Sequence, residues 1–124
     1  MKLTIIGAGN VGKALAGSVI KAGHDVTITS RNPEHYAEVA AQTGARGASL
    51  SEALDSTDAA LFAMPSDELD DVVRQVGDKL NDKILIDATN RVNPADPGAV
   101  LDGSSNAERI QAALPRAHVV KAFN

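Results

Sequence analysis

The sequence has no cysteine and no tryptophan among its 124 residues, and it has only one tyrosine and two phenylalanines. The lack of cysteine excludes disulfide bonds, thiolate metal sites and cysteine nucleophiles, and it fits a reducing compartment, so we expect a cytoplasmic protein. The formal net charge is -4 and no long basic run is present, which argues against a nucleic-acid partner because phosphates require a positive surface. No apolar run approaches the length of a membrane-spanning helix.

Aliphatic residues are abundant, and apolar residues make up 44 % of the chain. This composition suits a sheet and helices that pack through small side chains, and the length predicts one domain over residues 1–124. Such a chain is short for a protein of two domains. The apolar N-terminus could pass for a signal peptide, but an amphipathic helix explains Asn10 and Lys13 within it and requires no cleavage.

Predicted strands and helices alternate along the whole chain. The predicted strands are residues 3–6, 25–30, 45–48, 59–65, 83–87 and 118–123. This alternation predicts an α/β fold, a Rossmann-type doubly wound parallel sheet of six strands in the order 3-2-1-4-5-6, with helices on both faces.

Cap signals and one long polar stretch complete the prediction of elements. Gly44 is expected to end the second helix, and Ser49 or Ser51 to cap the third. Ser66 and Asp67 are expected to cap the fourth helix, whose apolar residues are Leu69, Val72, Val73, Val76 and Leu80. Residues 88–103 are too long for an ordinary connection, and we expect an active-site loop there.

Three glycines with the spacing G-x-G-x-x-G follow the first predicted strand and precede the first predicted helix. In dinucleotide-binding domains the first glycine allows a tight turn, the second lets a phosphate approach the backbone, and the third lets the helix pack on the strand. Here they are Gly7, Gly9 and Gly12. The N–H groups near Asn10 and Val11 would then face the phosphates. The alternative is a glycine-rich turn in another kind of α/β protein.

The end of the second predicted strand indicates which dinucleotide is bound. NAD-specific domains carry an acidic residue there, which accepts hydrogen bonds from the adenosine ribose. This chain has Ser30, Arg31 and Asn32 instead, and Asp25 lies at the opposite end of the strand. A guanidinium with hydroxyl and amide neighbours suits a 2′-phosphate, so the sequence predicts NADP. In the alternative interpretation, Arg31 is an ordinary solvated loop residue.

Other polar residues give weaker indications. The histidines, His24, His35 and His118, have no metal-ligand spacing among them, so we expect structural or solvated histidines and no metal site. The acidic cluster at residues 67–71 is explained by the positive end of a helix dipole. Asp87, at the end of the fifth strand, either reaches a cofactor ribose or caps the following loop.

Several segments carry a resemblance to known families. They are GAGNVGKALA (7–16), TSRNPE (29–34), Met64-Pro65, LIDATN (85–90), SNAERIQAALP (105–115) and VVKAFN (119–124). With them, essentially the whole chain resembles the N-terminal domain of the deazaflavin-dependent NADP oxidoreductases, and equally the NADPH-binding domain of the six-transmembrane ferric reductases. The resemblance implies an enzyme that binds NADPH and transfers its hydride to a flavin or to a deazaflavin such as coenzyme F420.

The resemblance also implies roles for residues that follow the strand ends. The implied contacts are Gly9, Asn10 and Val11 with the pyrophosphate, Ser30, Arg31 and Asn32 with the 2′-phosphate, Ala63, Met64 and Pro65 with the central ribose and phosphates, and Ala88, Thr89 and Asn90 with the nicotinamide. No catalytic side chain is expected, because hydride transfer between two rings needs alignment and exclusion of water more than an acid or base.

The sequence departs from the family pattern in two places. Glu34 and His35 stand where family members often carry a lysine, which weakens the expected preference for NADP. The deazaflavin enzymes continue after the sixth strand into a segment that helps form the acceptor site and a dimer, whereas this sequence ends at Asn124. Two alternatives therefore stay open: a nucleotide-binding or redox-sensing module without complete catalysis, and a reductase of a small keto, imine or sugar-acid substrate.

Overall fold

Strands and helices alternate in the computed structural model, which describes residues 1–89 and 106–121 and the backbone of residues 92–93 and 96–100. The strands of the main sheet are β1 (Lys2–Ile6), β2 (Asp25–Thr29), β3 (Arg46–Gly47), β4 (Ala59–Phe62), β5 (Ile84–Asp87) and β8 (His118–Lys121). They pair in parallel in the order β3-β2-β1-β4-β5-β8. The predicted order 3-2-1-4-5-6 is confirmed.

The helices lie between these strands and cover both faces of the sheet. They are α1 (Asn10–Lys21), α2 (Pro33–Thr43), α3 (Leu50–Asp55), α4 (Leu69–Val76) and α5 (Asn106–Ala113). None of these described helices is long and apolar enough to cross a membrane.

Two apolar cores form because side chains alternate between the two faces of each strand. Ala60 and Phe62 of β4 pack with α3, α4 and α5 on one face, while Ala59 and Leu61 pack with α1 and α2 on the other. Since both faces are covered, the central strands are apolar at almost every position, as is usual for parallel sheets.

Side-chain caps explain where α2 and α3 begin. The Oδ1 atom of Asn32 accepts a hydrogen bond from the Glu34 N–H at 3.0 Å, and Ser49 Oγ accepts one from the Glu52 N–H at 3.3 Å. Ser49, rather than Ser51, is therefore the cap of α3. The predicted stop of α2 at Gly44 is confirmed, because this residue has the left-handed φ of 87° at the C-cap.

The start of α4 differs from the prediction. One turn of 3-10 helix, Ser66–Glu68, precedes α4, and neither Pro65 nor Glu68 makes a side-chain cap. The Pro65 carbonyl accepts the Glu68 N–H at 3.0 Å, so the backbone closes this turn itself and Ser66 lies inside the turn instead of before it. Leu80 lies beyond the end of α4, although its side chain is buried.

Residues 88–103 also differ from the expected loop. Within them, β6 (Val92–Asn93) and β7 (Asp96–Val100) pair in antiparallel fashion as a separate two-stranded sheet. The segment contains proline and glycine, residue types that favour turns and weaken strands, so a local reading of the sequence assigns it to a loop. The pairing of the two strands supplies backbone hydrogen bonds that this local reading does not capture.

Candidate functional site

Gly7 joins the ends of three neighbouring strands. It follows β1, its N–H donates to the Thr29 carbonyl of β2 at 2.8 Å, and its φ is 126°. A Cβ atom at this position would lie 2.7 Å from the Ala63 carbonyl carbon, just after β4. Only glycine fits both this conformation and this close approach.

The N-terminus of α1 lies beside Gly7 without a side-chain cap. Gly9 is the N-cap residue, the first turn of the helix has no acidic residue, and no heavy atom comes within 4 Å of where a Gly9 Cβ would stand. Free N–H groups and the positive end of the helix dipole favour a negatively charged group at this position. The bare backbone at Gly9 leaves room for such a group.

Gly12 serves the packing of α1 against the end of β1. A Cβ atom there would stand 2.0 Å from the Gly7 carbonyl oxygen and 3.5 Å from a methyl group of Ile5. Gly12 is buried and is not among the residues that line the cleft described below. In the described structure, Gly12 therefore lets α1 pack closely against the end of β1, which is the role expected of the third glycine.

The residues after β2 make local hydrogen bonds. Ser30 Oγ donates to the Asn32 carbonyl at 3.1 Å, and Asn32 Oδ1 accepts from the Glu34 and His35 N–H groups at 3.0 and 3.4 Å. The side-chain amide oxygen of Asn32 thus caps α2. The side chain of Arg31 is 65 % exposed and has no such local hydrogen bond among the described contacts.

Arg31 faces an acidic residue across the mouth of the cleft. Its Nη1 atom lies 3.8 Å from Glu68 Oε1, and the Glu68 side chain is 24 % exposed. The two residues are 37 positions apart in the sequence and stand on segments that follow β2 and β4. A pair at this distance with a mostly exposed guanidinium is weak, so the N–H groups of Arg31 stay accessible from the cleft.

The ends of β4 and β5 continue the same edge of the sheet. The Ala63 N–H donates to the Ile6 carbonyl at 2.8 Å, and the Ala88 N–H donates to the Phe62 carbonyl at 2.9 Å. Met64 is buried at 4 % exposure in the core beneath the cleft. These backbone bonds hold the strand ends in line.

A buried polar network lies beyond β5. Asp87 Oδ1 accepts hydrogen bonds from the Thr89 N–H at 2.9 Å and from the Thr89 hydroxyl, so Asp87 caps the turn, as one of the two sequence interpretations predicts. Asn106 Nδ2 donates to Thr89 Oγ1 at 2.8 Å and to Ser66 Oγ at 2.9 Å. Asp87 and Asn106 are 1 % and 3 % exposed.

Sequence reasoning missed the buried Asn106 behind the cleft, and it missed Ser66, Glu68 and Arg109, which line the cleft. In the sequence, Asn106 stands out only as part of the SNAERIQAALP segment that carries the family resemblance. Its contact residues Thr89 and Ser66 are 17 and 40 positions away, and no local pattern connects them. The available signal was only that this polar residue lies in a segment that carries the family resemblance.

The glycine turn and the residues that follow β2, β4 and β5 border one cleft of about 1280 Å³ along the carboxyl edge of the sheet. The predicted site residues that line it are Gly7, Gly9, Asn10, Val11, Ser30, Arg31, Asn32, Ala63, Met64, Pro65, Ala88 and Thr89. Asn90 lies outside the described residues. Parallel α/β sheets bind their ligands at this edge, where the strand order reverses between β1 and β4.

The cleft carries charges of both signs. Asp67, Glu68 and Asp70 line it, and so do Arg31 and Arg109 of α5. Arg109 Nη2 forms an ion pair with Asp70 Oδ1 at 3.0 Å. Arg31 is thus the cation beside the β2 end, and Arg109 is the cation on the α5 side.

The histidines do not form a metal site in the described part of the chain. His35 lines the cleft, while His24 and His118 are exposed and do not border it. Across residues 1–89 and 106–121, no group of three histidine or acidic side chains could hold a metal ion.

Comparisons with known proteins identify relatives of the whole chain. Residues 2–91 match the family described as NADP oxidoreductase, coenzyme F420-dependent. The chain is 30 % identical over 123 residues to the metalloreductase STEAP3 of Rattus norvegicus, across 99 % of this chain and 24 % of that protein. Among solved structures, the protein SMa0349 of Sinorhizobium meliloti has a TM-score of 0.86 at 34 % identity, across 100 % of this chain and 62 % of that one.

A second solved structure has the same fold. A protein described as an F420-dependent NADP reductase, from Arthrobacter sp. FB24, has a TM-score of 0.88 at 24 % identity, across 100 % of this chain and 63 % of that one. The chain therefore spans about a quarter of the curated relative and less than two thirds of each solved chain. With its glycine turn, its sheet order and its cleft, this chain belongs to the coenzyme F420-dependent NADP oxidoreductase family.

Proposed function

We propose that this chain binds NADP(H) across the cleft and takes part in hydride transfer between nicotinamide C4 and a deazaflavin or flavin acceptor. The observation that carries the proposal is the uncapped N-terminus of α1, which opens into the middle of a cleft that runs from the end of β2 to the end of β5. A dinucleotide needs a central site for its pyrophosphate and one flanking site for each nucleoside.

The glycine turn would hold the pyrophosphate. The N–H groups of Asn10 and Val11 would donate to the phosphate oxygens, and the open space at Gly9 admits them. On one side, Arg31 would pair with the 2′-phosphate, with Ser30 and Asn32 beside it. On the other side, Ala63, Met64 and Pro65 would contact the central ribose and phosphates.

The nicotinamide would lie over the end of β5. Ala88 and Thr89 line the cleft there, and the family resemblance adds Asn90. NADPH itself supplies the hydride when bound, which reduces the acceptor and leaves NADP⁺. The residues of this chain would align the ring and exclude water, and no side chain needs to act as acid or base.

Family membership supports a deazaflavin such as coenzyme F420 as the acceptor. The resemblance of the sequence to the NADPH-binding domain of the six-transmembrane ferric reductases supports a flavin. A chain that binds NADPH but transfers no hydride to either acceptor would act as a nucleotide-binding module.

Titration of the folded chain with NADPH and NADH tests the binding, and loss of NADPH absorbance with added coenzyme F420 or flavin mononucleotide tests the transfer.

In the variant Gly9→Asp, a carboxylate would stand at the proposed pyrophosphate position, and we expect NADPH affinity to fall by at least about tenfold. Gly17→Asp is the matched control, since it adds the same charge to α1 in open space away from the cleft. A folded wild-type chain that binds no NADPH would overturn the proposal.

A further inference from the structure

Asn106 connects three segments that are far apart in the sequence. Its Nδ2 atom donates to the hydroxyl oxygens of Thr89, after β5, and of Ser66, in the turn before α4. Both of these residues line the cleft, whereas Asn106 is 3 % exposed and lies behind them. The side chain of Asn106 therefore fixes the distance between two walls of the cleft without facing the ligand.

Asp87 determines which way the Thr89 hydroxyl points. A carboxylate only accepts hydrogen bonds, so the Thr89 proton lies on the bond to Asp87 Oδ1. Thr89 Oγ1 then accepts the Asn106 N–H with one lone pair, and this also fixes the orientation of the Asn106 amide. The second lone pair of Thr89 Oγ1 is left, so the residue can offer the cleft an acceptor but not a donor.

Two further acceptor atoms of this network are buried without a donor among the described residues. Within the described part of the chain, Asp87 Oδ2 and Asn106 Oδ1 are buried without a hydrogen-bond partner. Buried acceptors without donors are costly, so turning the Thr89 hydroxyl away from Asp87 would remove a donor from a network that already lacks donors. The Thr89 hydroxyl therefore keeps its proton on the bond to Asp87 and presents an acceptor to the cleft.

We propose that Asn106 is a positioning residue for the nicotinamide half of the ligand. It holds the Thr89 side chain so that Thr89 Oγ1 accepts a hydrogen bond from the carboxamide N–H of the nicotinamide. This inference rests on the proposed function, because it assumes that a dinucleotide crosses from the β2 side to the β5 side. Asn106 acts through Thr89 and Ser66 and not by contact.

Binding of two ligands tests the role of Asn106: NADP⁺, which has both halves, and adenosine 2′,5′-bisphosphate, which has only the adenosine half. In Asn106→Ala we expect the Kd for NADP⁺ to rise about tenfold, because one or two hydrogen bonds are lost. The Kd for the bisphosphate should stay within about twofold. A general loss of structure would weaken both ligands alike.

Gln111→Ala is the matched control. Gln111 is also an amide on α5 and bonds the carbonyls of Leu114 and Ala117, but it lies away from the cleft. We expect it to lower the melting temperature and leave both Kd values within about twofold. If Asn106→Ala does not fold, the near-isosteric Thr89→Val must show the same selective loss of NADP⁺ binding.

Two results would overturn this inference: an unchanged Kd for NADP⁺ in the folded variant, or an equal loss for both ligands. Failure of the wild-type chain to bind NADP⁺ at all would instead overturn the proposed function. An NADP analogue with an acetyl group in place of the carboxamide has no N–H donor on the ring, and we expect Asn106→Ala to change its Kd by less than about twofold.

Discussion

At the scale of single residues, the pairing of Arg31 with Glu68 determines how the cleft would receive a 2′-phosphate. The guanidinium is mostly exposed and lies 3.8 Å from one carboxylate oxygen, so its remaining N–H groups stay accessible. Glu68 adds negative charge close to the proposed phosphate position. The two residues should therefore have opposite effects on NADP binding.

Substitution of Arg31 tests the choice of dinucleotide. In Arg31→Ala we expect the free energy of NADP⁺ binding to weaken by about 1–3 kcal/mol, since a charged hydrogen-bond partner is lost, while NAD⁺ binding changes little. Calorimetric titration with both dinucleotides measures the difference. Arg74→Ala is the control, because Arg74 is an exposed arginine of α4 that pairs with Asp71 and does not line the cleft. Equal losses for NADP⁺ and NAD⁺ would contradict the 2′-phosphate assignment.

Substitution of Glu68 should have the reverse effect. Glu68→Gln removes a negative charge near the 2′-phosphate and releases Arg31, and we expect NADP⁺ to bind about fivefold more tightly, or roughly 1 kcal/mol. NAD⁺ affinity should stay the same, and added salt should reduce the gain. Asp71→Asn removes the same charge from the adjoining helix outside the cleft and serves as the control. Weaker NADP⁺ binding in Glu68→Gln would mean that Glu68 orients Arg31 instead of competing for it.

At the scale of elements, the contact between α1 and the end of β1 sets the geometry of the glycine turn. Gly12→Ala would place a methyl group 2.0 Å from the Gly7 carbonyl oxygen, and we expect a loss of about 1–3 kcal/mol in the free energy of unfolding. Gly17→Ala, in open space on the same helix, should instead gain about 0.5–1 kcal/mol. Urea unfolding of both variants measures these values, and a neutral Gly12→Ala would contradict the packing role.

Some boundaries of the helices and strands could be predicted from the sequence, and others could not. The caps Asn32 and Ser49 and the stop at Gly44 were predictable, because each is a bond or a backbone angle within a few residues. The turn before α4 and the pairing of β6 with β7 were not, because backbone hydrogen bonds formed them without a distinctive side-chain pattern.

At the scale of the whole molecule, ligand binding should stabilise the sheet edge and both cores together. The cleft joins the ends of β1, β2, β4 and β5, so unfolding of any of them would release a bound dinucleotide. We expect NADPH at about 100 times its Kd to raise the free energy of unfolding by about 2.7 kcal/mol. Thermal unfolding with increasing NADPH measures this effect, with the Gly9→Asp variant as the control that should show little shift. No shift for the wild type would contradict binding to the native state.

The amino-acid pattern alone was sufficient for the order of the strands, the parallel sheet and the edge at which Gly7, Arg31 and Thr89 gather. Alternating strands and helices with right-handed crossovers bring the carboxyl ends of the strands to one edge, whatever their side chains. Only the tertiary structure brings Glu68 to Arg31 and places Asn106 behind Thr89 and Ser66. Such contacts depend on how far each helix is rotated and shifted against the sheet, which is set by packing across both cores and not by neighbouring residues.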